Sequence, residues 1–156
     1  MAVRLADEPI TAELELAELV AASAGAGAVA SFLGIARGRT AGGDEVERLV
    51  LDHHPRLTLR SMEEIAAAAR QCFAVSSVRI VHRRGDVAPG ETIVFVAAAA
   101  AHRRAAFEAV DYMMDRLKTD AVFWKREDGP DGSHWIEPRE DDYSARERWN
   151  EEPCPE

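Results

Sequence analysis

Two adjacent segments constrain this chain more than any others: Thr92 to Ala100, and the stretch from His102 to Lys118 that follows almost at once. The first, TIVFVAAAA, is strongly apolar and bounded by a turn signal, so it reads as a strand. The second places Ala106, Ala109, Val110, Met113, Met114 and Leu117 at helical spacing, which marks a single apolar stripe. Any fold for this chain must hold a strong strand and a strong amphipathic helix side by side in sequence.

The remaining elements are read around that pair. Ala2 to Ala6 is expected as a short edge strand, followed by a helix from Thr11 to Ala22 with Thr11 as N-cap. Gly25-Ala-Gly27 breaks the pattern, and Ala28 to Ile35 reads as a buried strand that delivers Arg37 and Arg39 at its end. Thr40 to Asp44 is a loop by composition, and Val46 to His53 a further strand. Pro55 to Leu57 turns the chain into a helix from Thr58 to Cys72, with Leu59, Met62, Ile65, Ala66 and Ala69 on its apolar side. Ser77 to His82 alternates like a strand, so Val78, Ile80 and His82 share one face. Pro89-Gly90 is a turn that wants glycine at its second corner. Val122 to Arg126 is a strand, His134 to Glu137 its hairpin partner across Gly129 to Gly132, and Ser144 to Trp149 a last short helix. Helices and strands do not alternate strictly and no glycine-rich phosphate loop occurs, so the class is α+β with a mainly antiparallel sheet flanked by helices.

At 156 residues one domain, 1–149, is the simplest organisation, with residues 150–156 expected to be a mobile acidic tail. No apolar run reaches the ~20 residues that span a bilayer. The alanine-rich stretch Leu14 to Ala30 is interrupted by Glu15 and Glu18 and lacks a basic leader, so no signal peptide is read and a cytoplasmic location is expected. The net charge of −9 argues against nucleic-acid and anionic-membrane partners. Cys72 and Cys154 are too few for a disulfide framework or a cysteine-rich zinc site, and Cys72 is expected as a small core residue. The histidines show no zinc-like spacing, and neighbours such as His53 and His54 in a strand point to opposite faces, so no metal is expected.

The cations are uneven in kind. Of 19 basic residues, 17 are arginine and only Lys118 and Lys125 are lysine. Lysine is compact and its pKa moves readily, so a lysine kept where arginine serves everywhere else suggests acid–base chemistry. Lys118 lies near a helix C-terminus, where the dipole alone favours a cation. Lys125 lies within Phe123-Trp124-Lys125-Arg126, where aromatic neighbours would bury its stem. A reversal near Asp120 would bring both ammonium groups to one cleft, each disfavouring protonation of the other. Arg103 and Arg104 open a helix against its dipole, which suits an anion docked on the free N–H groups there.

Taken in order, these stretches resemble the MoaE family of molybdopterin synthase large subunits. The matching pieces are Gly27-Ala-Val with Phe32-Leu-Gly34 running to Arg37, Val81-His-Arg-Arg-Gly85, and Pro89-Gly-Glu91. Ala101-His-Arg103 with Ala106-Phe-Glu-Ala109 follows, then Asp115-Arg-Leu-Lys118, Phe123-Trp-Lys-Arg-Glu127, Trp135-Ile-Glu137 and Arg139. The resemblance covers residues 25 to 149 and is specific in its combination of motifs. It implies an α/β hammerhead-type fold and a homodimer at the centre of a heterotetramer, with a small ubiquitin-like sulfur-carrier subunit at each end. It further implies transfer of sulfur from the carrier's C-terminal Gly-Gly thiocarboxylate to cyclic pyranopterin monophosphate, giving molybdopterin, with no cofactor. Residue by residue, Lys118 and Lys125 match the catalytic lysines. Arg37, His102 and Arg103 match the substrate-phosphate pocket, contributed in part across the dimer, and Arg139 an arginine near the carrier tail. The segment Asp52-His-His-Pro-Arg-Leu57 departs from the Glu-His-Tyr-Pro-Gly-Met of familiar bacterial relatives. The competing expectation is a non-catalytic homologue that binds only the carrier tail or a phosphate ligand.

Overall fold

The computed structural model describes residues 1–151. Along the chain run β1 (Ala2–Ala6), α1 (Ala12–Ala22), β2 (Ala28–Ile35), β3 (Arg48–His53), α2 (Leu57–Cys72), β4 (Val75–Arg83), β5 (Gly85–Val87), β6 (Thr92–Ala100), α3 (Arg103–Thr119), β7 (Phe123–Gly129), β8 (Gly132–Ile136) and α4 (Glu140–Glu151). The strands form two sheets, in the orders β1-β4-β6-β2 and β5-β3-β7-β8. In the first, β1 runs parallel to β4 and the other pairs are antiparallel; the second is antiparallel throughout. The α+β, mainly antiparallel class stands. The division into two sheets was not visible in the sequence, and neither was β5, whose three residues carry too short a pattern.

The first sheet holds the core. Along β6, Val94, Val96, Ala98 and Ala100 face one way, into a cluster with Met62, Ile65 and Ala69 of α2 and Ala109, Met113 and Leu117 of α3. Phe95 and Ala97 face the other way, against Leu19 of α1 and Val81 of β4. A strand covered on both faces has no side that water selects for, which is why its sequence is an unbroken apolar run. Ala97 to Ala100 are fully buried, and their small side chains fill the space between the sheet and its covering helices.

One expectation fails. Ala28 to Ile35 is a strand, but not a buried one: only Ala30 is shielded, while Val29, Phe32, Leu33 and Ile35 are between 37% and 56% exposed. β2 is the outer strand of its sheet, with no strand on its far edge among the described residues. An apolar run reports affinity for cover, and here the chain itself supplies little of it.

Local signals explain the element ends. Gly90 adopts φ +88, which its turn requires, and Glu91 N donates to Ala88 O at 3.1 Å. Thr11 stands at the N-cap of α1, yet its carbonyl rather than its hydroxyl takes the free N–H groups of Leu14 and Glu15. At α2 the N-cap is Arg56, without a side-chain cap bond, and the Nδ1 of His54 two residues earlier accepts from Arg56 N and Leu57 N at 3.4 and 3.2 Å. Cys72 is buried at the end of α2. α4 begins before the expected Ser144, because its first turn, Glu140-Asp-Asp142, is too polar to show an apolar period. It extends through Glu151, so Asn150 and Glu151 belong to a helix; the rest of the expected tail, with Cys154, lies outside the described residues.

A candidate active site at the joint of two sheets

α3 is 17 residues long and fixed along its length by the core, so its two ends are fixed as well. Lys118 lies in its last turn, exposed, beside Arg116, and Asp120 N closes the helix on Arg116 O at 2.7 Å. The chain then reverses across α2. Thr58 Oγ1 donates to Val122 O, and Ser61 Oγ accepts from Val122 N at 3.4 Å. This tie aims the chain into β7, where Phe123 and Lys125, two residues apart, share one face.

Lys125 is half-buried. Burial, then the nearby Lys118 ammonium, lowers its pKa from 10.5 to about 8, while Asp142 pulls the other way. The two lysines therefore share one electrostatic neighbourhood, as the reversal near Asp120 suggested. The larger cause is desolvation, not the like charge that sequence reasoning put first.

His82, at the end of β4, is 4% exposed and packs flat against Phe123, with ring centroids 4.0 Å apart at 22°. Its Nδ1 lies 2.7 Å from Arg83 O. A carbonyl only accepts, so Nδ1 carries a hydrogen. Burial is the main reason its pKa falls from 6.5 to about 3, with Lys125 and Lys118 adding to the effect. Sequence reasoning placed His82 on one face of its strand with Val78 and Ile80 but gave it no role. The available signal was a polar residue closing an otherwise apolar face.

Arg139 stands just before α4, whose Asp142 carboxylate accepts from Arg139 N at 2.8 Å. The same Asp142 is the acid that acts on Lys125, so Arg139 belongs to the lysine end of the molecule. The far end of α4 is pinned by Trp149, edge-on to Phe73 and Tyr112 at 5.8 and 5.5 Å, with its indole N–H on Asp115 at 2.7 Å.

Arg37 follows β2, exposed, beyond the pairing of Ile35 with Thr92. Ala36 N and O bond to Glu91 O and Gly90 N at 2.9 and 2.8 Å, which anchors this segment at the start of β6. His82 pairs with Val94 near that same end. His102 and Arg103 do not join them. His102 is the N-cap of α3, with no side-chain cap bond, and both residues are exposed just past the end of β6. A rise of ~1.5 Å per residue puts Arg103 roughly 22 Å from Lys118 along the helix. The length of β6, ~27 Å, separates the Arg37 end of the sheet from the His102 end. One chain thus gathers Lys118, Lys125, His82 and Arg139, keeps Arg37 at the same end of the sheet, and leaves His102 and Arg103 at the other.

The other residues singled out in the sequence take structural parts. Arg39 donates to Gly43 O at 2.9 Å, within its own loop. His53 meets Arg84 at 3.3 Å, and His54 accepts from the backbone that enters α2, so the adjacent histidines are engaged separately. Among the described residues no group of three or more His, Cys, Asp or Glu converges on a point. The divergent segment borders the site: Asp52 and His53 pair with Trp124 and Phe123.

Comparison with known proteins gives one consistent result. The family model described as MoaE protein matches residues 5–120. A molybdopterin synthase catalytic subunit of Caulobacter vibrioides is 47% identical over 152 residues, spanning 97% of this chain and 99% of the relative. Among solved structures, a molybdopterin biosynthesis MoaE protein from Burkholderia ambifaria superposes with a TM-score of 0.81 at 38% identity, covering 96% of this chain and 99% of that one. A molybdopterin synthase from Staphylococcus aureus gives 0.77 at 26% identity, covering 86% and 96%.

Proposed function

The chain belongs to the MoaE family, and from that premise we propose that it is the sulfur-transferring subunit of a molybdopterin synthase, with Lys118 and Lys125 as its catalytic pair. The substrate is cyclic pyranopterin monophosphate, and the sulfur comes from the C-terminal thiocarboxylate of a small ubiquitin-like carrier. The observation that carries the reading is the half-buried Lys125 amine, lowered to about 8 beside a second lysine. Near neutral pH such an amine is available in both forms, so it serves as acid and as base in one turnover. The Lys118 ammonium, exposed at the rim, attracts the anionic thiocarboxylate and offsets charge that develops during transfer. Arg139, at the start of α4, suits the carrier tail. Arg37 holds the substrate phosphate on this chain. A cytoplasmic location belongs to the same proposal, and no helix among the described residues is long and apolar enough to cross a membrane.

His102 and Arg103 complete the phosphate pocket from a second copy. The exposed edge strand β2 supports this, because its apolar side chains lack cover within one chain. Antiparallel pairing of β2 with β2 of a second copy around a two-fold axis would lay the Ala28 end of one strand beside the Ile35 end of the other. The His102 end of one chain would then stand near the Arg37 end of its mate.

The test is reconstituted sulfur transfer with thiocarboxylated carrier. Lys125→Ala should lose on the order of 100-fold or more in turnover. Lys125→Arg should lose nearly as much, since a guanidinium stays protonated; full activity there would mean that charge alone suffices. Mixed dimers of Lys118→Ala and His102→Ala/Arg103→Ala chains should regain activity that neither parent shows. No recovery would place both halves of the pocket on one chain.

A further inference from the structure

The lysine pair straddles a joint: Lys118 hangs from the helical layer of the first sheet, and Lys125 rides on the second. What lies in that joint sets the surroundings of Lys125. The ring of His82 comes from the first sheet and stacks on Phe123 of the second, whose side chain shares the Lys125 face. We infer that His82 is a positioning residue for Lys125: its neutral ring, held by the Arg83 carbonyl and stacked on Phe123, seals the joint and keeps water from the lysine stem. The inference rests on the catalytic reading of Lys125 above.

The surroundings of Lys125 support it. Lys118 acts on it from α3 and Asp142 from α4, with opposite signs. From its own strand Glu127 shares its face, while its cross-strand partners Leu51 and Ile136 carry no charge. Lys118 is exposed, and Asp142 works against the downward shift, so the buried floor of the site does most to keep the amine low. Among these neighbours His82 is the polar group at 4% exposure, and its neutrality matters. A charged imidazole there would repel both ammonium groups.

Two substitutions separate the ring from its hydrogen bond. His82→Asn keeps a donor for the Arg83 carbonyl and loses the stack; His82→Phe keeps the stack and loses the donor. The readout is the rate of amine acetylation at Lys125 against pH, resolved by peptide mass spectrometry on the full-length protein. In His82→Asn the midpoint should move from about 8 toward 10.5, and the pH profile of sulfur transfer should move with it. In His82→Phe the midpoint should stay near 8. An unmoved midpoint in folded His82→Asn overturns the inference. Should that variant fail to fold, Phe123→Leu removes the stack from the other side, and an unmoved midpoint there overturns it equally. A moved labelling midpoint with an unmoved activity profile would instead sink the catalytic reading of Lys125 and leave the positioning of its amine intact.

Discussion

The two sheets of this molecule are stabilised differently. The first is closed between helices, and from Val94 to Ala100 its central strand is at most 6% exposed. The second has a small core of Ala36, Leu49, Leu51 and Val87 with partly buried Ile93 against it, and no residue of β7 or β8 is buried. It relies on its hydrogen-bonded ladder and on surface charges such as Arg48, which spans to Asp86 at 2.9 Å and Asp128 at 2.8 Å. Surface pairs of this kind contribute little each. The difference bears on catalysis. An amine placed among the side chains flanking β6 would meet a prohibitive desolvation cost, and one on the open face of β8 would titrate as in water. Where the sheets meet, burial is partial, and a lysine there stays both soluble in its site and easy to deprotonate.

If that contrast is right, the first sheet should be far less tolerant of truncation than the second. Phe95→Ala, which empties a site 1% exposed, is expected to cost ~3–5 kcal/mol in denaturant unfolding. Trp135→Ala, at 60% exposure, should cost under ~1 kcal/mol. Comparable losses at the two positions would overturn the division.

The joint predicts an acid response of intermediate size. His82 holds its folded pKa at about 3 against 6.5 when free, so the folded state is favoured while the ring is neutral. As pH falls below 6.5 the unfolded chain takes up a proton that the folded chain refuses. Stability should therefore drop by up to ~1.4 kcal/mol per pH unit from this residue. The difference in slope between wild type and His82→Asn, measured from pH 6.5 downward and above the range where the low-lying Asp128 titrates, isolates the contribution. Identical slopes would mean that the ring is not held neutral by burial.

The lysine responds to pH with the same sign in a higher window, but here removing the group stabilises the fold. The fold disfavours protonated Lys125, so stability is reduced below about 8 and recovers as pH rises from there toward 10.5. Lys125→Met removes that cost and should stabilise the protein near pH 7 by ~1–2 kcal/mol, discounted for partial solvent screening, while abolishing transfer. A variant no more stable than wild type would show that the amine is already well solvated.

Most elements were legible in the sequence because they are written in local periodicity. The α3 stripe and the β6 run have the expected type and place, and the lysines were singled out by their scarcity among arginines. β2 misled, because apolar side chains that await cover look like side chains that have it. His82 escaped notice as a functional residue for a related reason. Its strand reads as ordinary alternation, and its ring acquires a role only through Phe123, some forty positions later in the chain.

The sequence by itself determined the α+β class and the family and singled out the two lysines, since each rests on residue type and short-range spacing. Only the tertiary structure decided which of those residues meet. α3 and β6 are long and rigid, so Arg103 and Lys118 lie at opposite ends of one molecule although a single helix carries both. The lowered pKa of Lys125 was likewise decided there. Its own sequence neighbours leave it on a half-open strand, and the burial that matters comes from packing against elements distant in the chain.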